Sequence, residues 1–115
     1  MSDQVPIINR VAAVVEPKEA FFAWARALDD DELAIDSFSP TSLTSVYLLE
    51  EAEQSEKSLQ RHWDWIFEKK LYSWHRDRED WPQKRTYRIF REWFDVRLVE
   101  LVFDFSDEPL LHDEC

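Results

Sequence analysis

Along most of this chain the hydrophobic positions keep one of two rhythms, period 2 or period 3.6, and the switches between them mark out the elements. The richest stretch is WPQKRTYRIFREWFDVRLVELVFDF, residues 81–105. Thr86, Ile89, Phe90, Trp93 and Phe94 stand at i, i+3, i+4, i+7 and i+8, one continuous face of a helix that Trp81-Pro82 would open. Asp95 is read as the turn that follows, because aspartate tolerates left-handed backbone better than most residues. Beyond it Val99, Leu101, Phe103 and Phe105 alternate with Leu98, Glu100, Val102 and Asp104, the period of a strand.

The earlier segments follow the same logic. Residues 7–15, IINRVAAVV, are apolar on both alternating faces, which predicts a central strand covered at least partly on each side. Glu16-Pro17 is expected to stop it. Pro17 then suits the first position of a helix running to about Leu28, with Ala20, Phe21, Trp24, Ala25 and Leu28 inward. Residues 30–42 read as a loop and Leu43 to Leu49 as a short second strand. Ser55 is the expected N-cap of a helix reaching Trp74. On that helix Leu59, Trp63, Ile66, Phe67, Leu71 and Trp74 keep one stripe, while Trp65 and Tyr72 fall off it. His75 to Asp80 is a charged linker. The order β-α-β-α-α-β predicts a single two-layer α+β domain, a three-stranded sheet with about three helices. The first strand sits between the second and third, and the first crossover is right-handed if its strands are parallel. Residues 106–115 read as a flexible acidic tail.

Composition narrows the chemistry. With 115 residues, 44% hydrophobic and 15% aromatic, the chain can build a core without metal or disulfide, and no cofactor is predicted. The start MSDQVPIINR has no leader-like apolar segment, no apolar run is long enough to span a bilayer, and the single Cys115 has no partner. These features predict a cytoplasmic protein with no membrane contact. There is no glycine. A Walker A loop, a G-x-G-x-x-G turn and a G-x-S-x-G elbow are thereby excluded, since each needs glycine for positive φ or close backbone approach.

Charge is lopsided. The net charge is −11. Residues 29–56 hold nine acids and no base, residues 98–115 six acids and no base, and residues 70–97 eight bases against five acids. Such a surface repels nucleic acid, so no direct nucleic-acid binding is predicted despite Lys84, Arg88 and Arg91 sharing a helical face. His62, His75 and His112 stand apart, with no H-E-x-x-H or C-x-x-C spacing, so no metal site is predicted. No catalytic residue stands out either.

What remains is recognition. Trp65, Tyr72 and Tyr87 lie off the inner stripes, and Arg88 and Arg91 adjoin Tyr87. Exposed aromatics are typical anchors for a protein partner. The expected function is therefore a regulatory protein–protein interaction module, monomeric or weakly homodimeric, using its acidic surface and these aromatics. Two alternatives stand beside it: a DNA mimic whose carboxylates imitate phosphates, and a small enzyme with a carboxylate-lined pocket.

Taken together, VVEPKEAFFAWARALD, VYLLEE, WPQKRTYRIFREWFDV and VFDF resemble a family of small acidic bacterial proteins of unknown function. The likeness spans roughly residues 10–105, and Trp81-Pro82, Arg85, Phe90, Trp93-Phe94-Asp95 and Val102-Phe103-Asp104 are its most specific pieces. It implies a bacterial cytosolic protein of α+β arrangement and brings no catalytic residue or cofactor with it.

Overall fold

A computed structural model describes residues 6–28, 35 and 38–113. Its elements are β1 (Arg10–Pro17), α1 (Glu19–Leu28), β2 (Ser45–Glu50), α2 (Ser55–Trp74), α3 (Tyr87–Trp93) and β3 (Phe94–Val99), with 3-10 turns at Pro40–Leu43 and Arg78–Asp80. This is the β-α-β-α-α-β order and α+β class that the periodicity predicts. The sheet runs β2-β1-β3, so β1 is central as expected. Both pairings are antiparallel, so the handedness rule for parallel crossovers has nothing to act on here.

One face of the sheet carries the core. Ala13 lies between Tyr47 and Leu98, and Val15 between Ser45 and Val96. The small alanine in the middle lets large rings approach the sheet. Phe21, Ala25, Ile35, Leu59, Ile66, Phe67, Leu71, Phe90 and Phe94 fill the space above it. Phe67 ties α2 to α3 and β3, with ring centroids 5.8 Å from Phe90, 5.6 Å from Trp93 and 5.6 Å from Phe94. Each such ring contributes about 1.5–3 kcal/mol by burial, and favourable ring geometry adds to it. On the opposite face Val46, Leu48 and Val99 are exposed.

Several boundaries differ from the expectation, each for a local reason. Pro17 does not open α1: it is the last residue of β1, paired with Phe94. At a strand's end its missing N–H removes no ladder bond that the fold needs. Ser55 is the first residue of α2, and Gln54 is the cap. Trp81 is not in a helix but buried in the core, its indole N–H donating to His75 O at 2.8 Å. The final helix begins only at Tyr87, capped by Thr86, whose Oγ1 accepts from Ile89 N at 3.1 Å. Asp95 is not a turn. Trp93 passes directly into β3 through Phe94 at φ −135°, ψ 137°, with no positive φ among the described residues. The alternation after Val99 also breaks: Ile7 bridges Phe103 alone, one residue out of the β1–β3 register, as a β-bulge produces.

Candidate functional site

The most distinctive surface lies along the outward side of α2. Trp65, Glu68, Lys69 and Tyr72 fall at i, i+3, i+4 and i+7, so they form a stripe of their own, beside the one that feeds the core, and Arg76 follows just past the end of the helix. Trp65 is 57% and Tyr72 43% exposed. Cations stand over both rings: Lys69 Nζ is 5.7 Å from the Trp65 centroid and the Arg76 guanidinium 5.7 Å from that of Tyr72. Trp81, below them, receives Arg78 at 5.1 Å and Arg85 at 5.8 Å. Trp65, Glu68, Lys69, Tyr72, Arg78 and Trp81 line an open hollow of about 320 Å³. Glu68, the carboxylate among them, is engaged by Arg85 at 3.2 Å. Each of the two exposed rings therefore has a cation over it, in a chain that acids dominate as a whole.

Trp65 also meets Tyr47 edge to face, centroids 6.3 Å apart. This contact ties the stripe to β2, an edge strand. Edge strands present unpaired backbone groups to any approaching extended chain.

The other three residues singled out in the sequence stand elsewhere. Tyr87 is half-buried at the α2–α3 contact, edge to face with Trp63. Its hydroxyl donates to Glu56. Burial first, and that donation second, push its phenol above the ordinary value. Arg91 donates to Glu56 Oε1 at 2.8 Å and to the Tyr87 hydroxyl at 2.9 Å. Arg88 is exposed, with Glu92 one turn on at 3.4 Å. The structure thus brings Trp65 and Tyr72 together on α2 and places Tyr87, Arg88 and Arg91 on α3, where two of them hold α3 to α2.

Of the acids, Asp29, Asp30, Asp31, Glu32 and Asp36 lie outside the described residues. Glu50 closes β2 and meets His62 at 2.9 Å and Arg61 at 3.3 Å. Its own backbone N–H, then His62, hold its carboxyl below the usual range. His75, Asp77 and Asp80, unremarkable in sequence, bring one ligand atom each within 4.8 Å of one another. These groups already serve the loop: His75 Nε2 meets Asp80 at 2.8 Å, and the Asp77 carboxylate accepts from Glu79 N at 3.1 Å.

Sequence reasoning missed one group entirely. Lys70 is buried on the core stripe of α2. Its signal was available: it stands four residues after Ile66 and three after Phe67, where a solvent-facing lysine has no place.

Comparison with family models, with curated proteins and with solved structures finds no match. The resemblance to small acidic bacterial proteins accordingly rests on the motif residues alone. No helix among the described residues is long and apolar enough to cross a membrane.

Proposed function

We propose that this chain is a protein-binding module of the bacterial cytosol, a monomer or weak homodimer that docks a partner on the outward stripe of α2. The observation that carries this reading is the pairing of two large exposed aromatics, Trp65 and Tyr72, two helical turns apart and each under a cation. Aromatic anchors flanked by cations suit a partner segment that combines apolar or aromatic side chains with carboxylates. The cations over the two rings attract the partner's carboxylates, and salt screens that attraction, so the complex weakens at high salt.

The test is a display library of linear peptides panned on the full chain. The reading expects enriched sequences in which Asp or Glu adjoins an aromatic or branched apolar residue. Their affinity should fall at least about tenfold in the Trp65→Ala/Tyr72→Ala variant, the loss of one or two anchors of about 1 kcal/mol or more each. No enrichment, or unchanged affinity in the variant, would overturn it.

A further inference from the structure

Lys70 points to a second property, independent of the docking stripe. It is 5% exposed and the only buried lysine among the described residues. Its Nζ donates to Leu43 O at 2.6 Å and to Ser45 Oγ at 2.7 Å. Both acceptors are neutral, and no salt bridge ties it to a carboxylate among the described residues. An ammonium largely removed from water and bonded only to neutral acceptors gives up its proton readily. Burial lowers its pKa from 10.5 to about 8, which leaves about a fifth of the amine neutral near pH 7.4.

This amine is also reachable. Lys70 helps to line two cavities, one of about 240 Å³ bordered by Phe21 and Trp74, the other of about 460 Å³ bordered by Tyr47 and Trp65. The larger is apolar on its aromatic side and polar around Ser45, Ser73, Lys69 and Asp113.

We propose that Lys70 is a covalent capture site for small carbonyl compounds, aldehydes with an aromatic or apolar body that enters beside Tyr47 and Trp65. The Nζ lone pair adds to the carbonyl carbon, forming the C–N bond while the C=O π pair moves onto oxygen. A proton passes from nitrogen to that oxygen through the Ser45 hydroxyl, giving a carbinolamine. The hydroxyl then leaves as water and the second nitrogen proton is released, so amine plus aldehyde yields imine plus water with no change of oxidation state. Burial pushes the Tyr47 phenol upward, against a smaller opposing effect of its hydrogen bond to Ser45. Tyr47 thus stays neutral and able to donate to the carbonyl oxygen.

The experiment treats the folded full-length chain with benzaldehyde and cyanoborohydride near neutral pH for a short time. Peptide mass spectrometry then locates the reduced benzyl adduct. The proposal expects adduct on Lys70 to lead that on the exposed Lys18, Lys57 and Lys84 by at least about tenfold, as its larger neutral fraction requires. The lead should vanish in concentrated urea. Lys70 unlabelled or no faster than the exposed lysines, or a preference that survives denaturation, would overturn it.

Discussion

Replacing Lys70 with Met tests the energetics of the buried amine through their pH dependence. Methionine keeps the length and apolar stem but does not titrate. In the unfolded chain the amine holds its proton up to the ordinary value of 10.5, whereas in the folded chain burial brings that down to about 8. Between those limits the unfolded state binds more protons, so raising the pH stabilises the fold; below about 8 the full cost of the buried charge is present. The separation is about 2.5 pKa units, or about 3.4 kcal/mol at 1.36 kcal/mol per unit. About 2.5 kcal/mol of it falls between roughly pH 7 and 10, and residual solvent access reduces that to about 2 kcal/mol. Methionine removes this cost but leaves Leu43 O and Ser45 Oγ without their donor, a loss of about 1–3 kcal/mol. The two chains should therefore be close in stability near pH 7, with wild type gaining about 2 kcal/mol over the variant by about pH 10. Urea unfolding followed by tryptophan fluorescence reads this as an opening gap of about 1–2 M in midpoint. Comparison with the variant cancels every other titrating group. Parallel pH profiles for the two chains would refute the reasoning.

Two further outcomes follow from the local geometry. Thr86→Ala removes the side-chain cap of the seven-residue α3 and should cost about 1 kcal/mol, whereas Thr86→Ser should stay near wild type, as urea titration would show. The Trp65→Ala/Tyr72→Ala variant should keep its circular-dichroism spectrum and lose no more than about 2 kcal/mol of stability, because both residues are only about half covered.

The elements were legible wherever one periodicity acted alone. The stripe on α2 placed Leu59, Ile66, Phe67 and Leu71 inside and left Trp65 and Tyr72 outside, as the structure has them. It failed where one residue satisfies two patterns. Phe94 is four residues after Phe90 and two before Val96, so it continues both the helix and the strand, and the chain changes period there with no turn between. Trp81-Pro82 reads as a helix start because proline suits a first turn, yet Trp81 is a core ring and the cap lies five residues on at Thr86. Pro17 carried the same ambiguity between strand end and helix start. The docking stripe was partly legible: exposure of its aromatics followed from spacing, but its cationic character only in part. Lys69 over Trp65 and Arg76 over Tyr72 are pairs four residues apart, whereas Arg78 and Arg85 meet on Trp81 only through the fold of the loop 75–86. Tyr87 and Arg91 read as exposed because the partner that engages them, Glu56, is more than thirty residues away.

The most direct test of the docking surface is quantitative capture from bacterial lysate by immobilised wild-type chain and by the Trp65→Ala/Tyr72→Ala variant, side by side at low and high salt. The account predicts a stoichiometric protein held by wild type at low salt, released at high salt and at least about tenfold depleted on the variant. Equal capture by both chains, or none by either, would contradict it.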